Sequence, residues 1–209
     1  MIMMRPIQQQ RGYTLVELMV AVVLTSIVTV AIYKAYVSVT TAYEVQDQVV
    51  ELQQNSRVAI DRMAREIRMA GYDSKETASA GFVATTDADD INFTMDLDES
   101  GAIDAGNETV AYSYDAGNLE LKRNGTAVID NIDALNFVYL DEDGEVTATL
   151  ANIRTVQIAV VLRTSNEDYG YTNSDTYSNL QGTVIYTAGG DNFRRRVVRT
   201  QVKVRNMGL

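Results

Sequence analysis

Cysteine, histidine and tryptophan are absent from the 209 residues, and there is one proline. Without cysteine there is no disulfide and no thiolate metal site, although this absence says nothing for the cytoplasm. Without histidine the chain lacks the commonest general base, any Ser-His triad and the usual zinc ligand, which argues against an enzyme. Pro6 is the sole proline, so a kink further along must come from another cause. Positive charge is also scarce: 18 Lys and Arg face 28 Asp and Glu, a net charge of −10. That balance argues against a general nucleic-acid surface, which would be basic.

What is present begins with a long apolar run. From Tyr13 to Tyr33 the only charge is Glu17. At about 1.5 Å per residue, roughly 20 helical residues cross a hydrocarbon core. A secretory signal has a shorter apolar run and ends at a small-residue cleavage site, and no A-x-A-like site follows here. An acid in such a helix requires a reason, because a carboxylate in hydrocarbon costs at least a few kcal/mol. One reason is local: at headgroup depth, one turn into the helix, Glu17 favours the positive end of the dipole.

The string Gly12-Tyr13-Thr14-Leu15-Val16-Glu17-Leu18 supplies another. It resembles the class III signal of type IV prepilins: Gly, an aromatic residue, Thr-Leu and then Glu, directly before a membrane-length helix. The resemblance implies that a prepilin peptidase cuts between Gly12 and Tyr13 on the cytoplasmic side and methylates the new Tyr13 amine. It implies that Glu17 pairs with the N-terminal amine of a neighbouring subunit. A buried acid is tolerable when a cation satisfies it. Tyr13 departs from the commoner Phe or Met. Many type IV pilins also carry a C-terminal disulfide loop, which this chain cannot form, and major pilins often have a proline in the membrane helix, which it lacks. Residues 1–12 read as a leader, removed on processing, with Arg5, Arg11 and no acid. Basic flanks stay inside, so the leader is expected in the cytoplasm and the C-terminus outside, with a single pass through the inner membrane.

Beyond Tyr33 the chain turns amphipathic. Val45, Val49, Leu52, Ser56, Ala59, Met63, Ile67 and Ala70 recur three or four apart, one face of a helix. Asp61 and Arg65 have favourable i,i+4 spacing, and Gly71 reads as a C-cap. One continuous helix over residues 13–70 is expected: 13–39 in the membrane or filament core, 40–71 amphipathic. A coiled coil would show the same spacing, but Ser56 and Ala59 are small for a zipper seam and suit a sheet laid across the helix. The run from Leu52 to Tyr72, with its closing Ala70-Gly71-Tyr72, resembles PilW-type minor pilins.

Residues 72–209 read as a β-rich domain. Short segments rich in Val, Ile, Thr and Tyr fall at 81–85, 90–95, 108–114, 118–123, 126–129, 132–140, 145–149, 153–164 and 195–205. Asp115-Ala116-Gly117-Asn118, Arg123-Asn124-Gly125-Thr126 and Asp141-Glu142-Asp143-Gly144 read as hairpin turns. The expected fold is α+β, type IV pilin-like, with the helix on a meander-like antiparallel sheet. The strands 153–164 and 195–205 also resemble the closing strands of PilW-like proteins.

Between Asp73 and Asp191 acids outnumber Lys and Arg roughly four to one. Basic residues gather instead at Arg194, Arg195, Arg196, Arg199, Lys203 and Arg205, which places a positive face on the last strand. That face reads as edge protection, as a dock for an acidic neighbour or as a contact with DNA. Asp96, Asp98, Ser100 and Asp104 follow the start of an EF-hand-like loop, with Gly101 at its sixth position. The pattern departs at the twelfth position, Asn107, with Glu108 one residue late. A structural Ca²⁺ and a plain acidic turn both fit; no other cofactor is expected. Residues 164–192 read as a polar loop whose Tyr169, Tyr171, Tyr177 and Tyr186 suit a contact surface or a mobile insertion.

The resemblance implies a minor pilin, processed by prepilin peptidase, held in the inner membrane and then joined to other major and minor pilins in a type IV pilus, in a priming or tip complex. It would pass through the periplasm to the cell exterior. The rival readings are a J-type pseudopilin of type II secretion and a tip module that adheres to a surface or DNA through residues 164–192.

Overall fold

The computed structural model describes residues 12–84, 86–104 and 106–207, without the Ala59 side chain. Of the leader expected at residues 1–12, only Gly12 falls among them. Helix α1 (Leu15–Arg68) is uninterrupted, as the lack of Gly and Pro between Tyr13 and Ala70 dictates. Thr25, Ser26 and Thr29 return their hydroxyls to the carbonyls of Ala21, Val22 and Thr25 at 2.7–2.8 Å, so these polar side chains make no demand on the medium around the helix. The helix ends by tightening: Ala70 N–H bonds Ile67 C=O and Tyr72 N–H bonds Met69 C=O. Gly71 then takes φ +77°, where a Cβ would also lie 2.7 Å from Met207 Sδ.

By its internal contacts the chain divides into two units, the first ending at Gln46. In the first unit every residue from Gly12 to Val39 is exposed. The α1 segment is long and apolar enough to cross a membrane.

In the second unit, from Asp47 on, α1 buries Leu52, Ser56, Ile60, Met63 and Ile67, and Ala70 just past its end is buried with them. Ile60 joins the face read from the sequence. The i,i+4 ion pair that forms is Arg62–Glu66 at 3.2 Å, and not Asp61–Arg65. Strands β1 (Asp90–Thr94), β2 (Thr109–Asp115), β3 (Glu120–Arg123) and β4 (Thr126–Ile129) form an antiparallel meander in the order β1-β2-β3-β4. The β3–β4 turn puts Asn124 and Gly125 both at positive φ, the mirror-image turn that Asn-Gly favours. A second sheet joins β5 (Ile132–Leu140), β6 (Thr155–Arg163) and β9 (Arg195–Lys203) in the order β5-β6-β9. Ile158 lies opposite both Phe137 and Thr200. The helix face and the inner faces of both sheets form one core, with Met63, Phe93, Tyr112, Val156 and Ile158 nearly free of solvent.

Three expectations need correction. The meander is two sheets. Among the described residues, the segments 81–84 and 145–149 form no strand of their own and contribute the isolated bridges Phe82–Phe93 and Leu140–Val146. And residues 164–192 contain a hairpin, β7 (Thr176–Ser178) and β8 (Val184–Thr187). Its loop is organised by Asn179, whose Oδ1 accepts from the N–H groups of Gln181 and Thr183 and whose Nδ2 donates to Asn136. Tyr177 and Ala188 pack with Ala134 and Val161 in a second small cluster. Strand β6 is therefore covered on both faces, and Val156 to Leu162 reads as a continuous buried run without alternation.

Candidate functional site

The start of α1 is built by Thr14 and Glu17. Thr14 Oγ1 accepts the Glu17 N–H at 3.2 Å, and Glu17 Oε2 accepts the Thr14 N–H at 3.2 Å. This is a reciprocal capping box, which satisfies two N–H groups that a helix start leaves without partners. The Thr14 hydroxyl also donates to the same Oε2 at 3.3 Å. Glu17 thus has a role inside its own chain. The sequence carries the signal, Thr-x-x-Glu before an apolar run, which the dipole and signal-string readings of Glu17 above did not use. Tyr13 is 90% exposed. Among the described residues, a Cβ on Gly12 would meet nothing within 4 Å.

In the acidic loop, carboxylate oxygens of Asp96, Asp98 and Glu108 come within 4.8 Å of one another. Asp96 and Glu108 are buried and Asp98 is exposed. Glu108, not Asp104, completes the group, so the acid one place late for an EF-hand is the one the fold brings in. Ser100 Oγ turns to Ala102 instead. Much of the loop's charge is met by backbone. Asp96 accepts from the N–H groups of Ser100 and Gly101, and Glu108 from those of Leu97, Asp98 and Asp104, at 2.7–3.2 Å. The Ser100 N–H on Asp98 holds that carboxyl below the usual range. Three hard carboxylates in this span fit a Ca²⁺ ion, which takes oxygen ligands.

The basic cluster before and along β9 is largely spent internally. Arg195 has no exposed side-chain surface. Its Nε reaches Asp133 at 2.6 Å, its two terminal nitrogens grip both oxygens of Asp191, and Nη2 donates to the Tyr186 hydroxyl. Arg194 pairs with Asp168 at 2.7 Å and lies over the Tyr171 ring. Arg199 Nε donates to the Ser178 carbonyl at 2.6 Å. Tyr177 is buried, so of the four tyrosines expected at a contact surface Tyr169, 86% exposed, stays clear of these contacts.

Within the second unit, Glu66 ties the helix to the meander. It accepts from Tyr112 Oη at 2.8 Å, Arg123 Nε at 2.8 Å and Arg62 Nε at 3.2 Å. Burial works to raise the Glu66 carboxyl, but these donors outweigh it and hold it below its ordinary value. A groove of about 550 Å³ runs beside this network, lined by Glu51, Asn55, Arg62, Tyr112 and Asp130.

Against known proteins, the sequence profile of "prepilin peptidase-dependent protein B" matches residues 45–179, well over half of the chain. The profile of the prokaryotic N-terminal methylation motif matches residues 7–33. Among solved structures, a type IV-like pilin from Thermus thermophilus superimposes with a TM-score of 0.54 at 14% identity, covering 76% of this chain and 98% of that one. At that identity the likeness speaks for the fold. A comparison with curated protein sequences finds no match.

Proposed function

This chain belongs to the prepilin peptidase-dependent protein B family, and from that membership we propose that it is a minor pilin of the PilW type, with a role in assembly rather than catalysis. In this reading it enters the inner membrane with its N-terminus in the cytoplasm. Prepilin peptidase cuts between Gly12 and Tyr13 and methylates Tyr13. The mature chain joins other pilins in the priming or tip complex of a type IV pilus, and Glu17 meets the Tyr13 amine of a neighbour. Asp96, Asp98 and Glu108 take a structural Ca²⁺.

The observation that carries the reading is the match of the N-terminal methylation motif over residues 7–33, which takes in Gly12, Tyr13 and Glu17 at the foot of a membrane-length helix. The test is the mass of the mature protein from its native host. A chain beginning at methylated Tyr13 supports the reading, and one that retains Arg5 or begins after Ala31 defeats it. Deleting the gene separates pilus from secretion. Loss of pili and twitching is the expected outcome, whereas loss of folded-enzyme export would assign the chain to a J-type pseudopilin.

A further inference from the structure

Strand β9 is the edge of the three-stranded sheet, nine residues long. The bonds at its two ends fix which way its backbone faces. Thr164 N–H bonds Arg194 C=O, and Val204 N–H bonds Arg154 C=O, both at 2.9 Å. In an antiparallel ladder, alternate residues point their N–H and C=O to opposite sides. Even-numbered residues of β9 therefore serve β6, and Val197, Arg199, Gln201 and Lys203 present theirs to the open edge. No other described strand pairs with that edge. The remaining long edges are covered. Residues 81–83 bond along β1, and Ala88 and Thr147 bond along β5.

Charge selects what fits there. Arg196, Arg199 and Lys203 are exposed, the strand carries no acid, and the rest of the domain is strongly acidic. Pairing β9 with the β9 of a second copy would crowd these cations on one ladder and, in registers that align Arg199 with Arg199 or Lys203, set them opposite one another, and like charges across a ladder destabilise it. The charges therefore do more than blunt the edge: they reject a copy and favour an acidic strand. We propose that the open edge of β9 is a docking site for an extended acidic segment of a neighbouring subunit, which adds as a further strand. Main-chain bonds to Val197, Arg199, Gln201 and Lys203 supply affinity, and Arg196 and Lys203 supply selection beside Arg199, whose Nε is already given to the Ser178 carbonyl.

The inference rests on the reading of this chain as an assembly subunit, but its test does not pass through processing or filaments. The full chain in detergent is titrated with a labelled peptide of alternating Glu and Val, with the same peptide N-methylated at alternate residues, and with the counterpart in which Lys replaces each Glu. The Glu peptide should bind at least about tenfold tighter than either of the others, since one lost bond or one reversed charge set is worth about 1.4 kcal/mol or more. Gln201→Pro removes an N–H that the sheet itself does not use, so β9 can keep its ladder with β6. It should weaken the Glu peptide by about tenfold, while Gln201→Ala leaves binding unchanged. If Gln201→Pro does not fold, the N-methylated peptide on the unaltered protein tests the same bonds. Equal binding of parent and N-methylated peptides, equal binding of Glu and Lys peptides, or no binding at all overturns the proposal. A mature chain that begins at methylated Tyr13 with no peptide binding would defeat this inference and leave the assembly reading intact.

Discussion

Helix α1 is one element with two kinds of surface. Before Gln46 it has apolar residues on every side, and none of its described residues is buried. From Leu52 onward its apolar residues recur three or four apart, and those on one face are buried to 8% exposure or less. Backbone conformation is the same in both halves, so it does not explain the difference. What differs is where the partner comes from. A periodic helix finds its partner in its own chain, here two sheets, whereas a helix apolar all round needs lipid or other helices. The membership in a prepilin-peptidase-dependent family makes sense of the first half, and the second half is an ordinary α+β core.

The sharpest way to break this comparison is at Glu17, the one charge in the first half up to Tyr33. Glu17→Val removes both the cap and the charge, and should leave leader cleavage and membrane insertion intact while lowering recovery in sheared pili at least about tenfold. Glu17→Gln separates the two roles, because Gln at this position can still complete a capping box. It should fail like Val. If Glu17→Gln assembles normally, the cap and not the charge recruits the subunit.

In the second half the largest effect is expected at the buried ion network. Asp133→Ala takes the partner from the Nε of Arg195, whose side chain has no solvent, and the ion pair from Arg163, while Asp191 stays on the terminal nitrogens; it should cost about 3 kcal/mol in urea unfolding of the full chain in detergent. Val28→Ala, on the exposed part of α1, should leave the same transition unmoved. The network also predicts an acid limit. Arg195 lowers the Asp191 carboxyl, Arg194 lowers Asp168, and Glu66 is held below its ordinary value by Arg123, Tyr112 and Arg62 against the effect of burial. Folded-state values below the unfolded ones mean stability that is full above the unfolded carboxylate range, near pH 4, and lost as pH falls through the folded values. A urea midpoint that did not fall below pH 4 would contradict these pairs.

Next in size is the helix–sheet seam. Met63 is fully buried between α1 and the sheets, and Met63→Ala should cost about 2–3 kcal/mol, low in the range for such truncations if neighbours close on the gap. The fall in urea midpoint measures it. An unchanged midpoint would mean that the helix face contributes little to the second unit.

How much of this was legible depended on distance along the chain. The stripe from Leu52 to Ala70, the Asn124-Gly125 turn and the strand at 132–140 rest on local chemistry, and they fall where the pattern places them. Arg195 looked like surface charge because Asp133, one of its two acid partners, lies 62 residues away, and the other, Asp191, four residues before it, read as part of a polar loop. The hairpin in residues 164–192 was hidden because three- and four-residue strands lack a period long enough to read, and because Asn179, which shapes its loop, looked like one polar residue among many. At the acidic loop the spacing pointed to Asp104, but the strand that follows, β2, carries Glu108 into the group.

That loop gives the smallest effect and the finest test of how the second half holds its acids. Five backbone N–H donations to Asp96 and Glu108 already close it, so an ion adds to an organised turn rather than creating one. With a site of millimolar affinity, 10 mM Ca²⁺ should contribute about 1.4 kcal/mol by mass action, a rise of roughly 3–6 °C in Tm for a domain of this size. Asp98 is the place to test it. Asp98→Asn keeps an acceptor for the Ser100 N–H, now 2.9 Å away, but removes one of the three charges that converge there. The calcium-dependent rise should therefore vanish in Asp98→Asn while the Tm in chelator stays near that of the native chain. Identical melting curves for the native chain in calcium and in chelator would leave the backbone amides as the whole explanation of why Asp96 and Glu108 tolerate burial so close together.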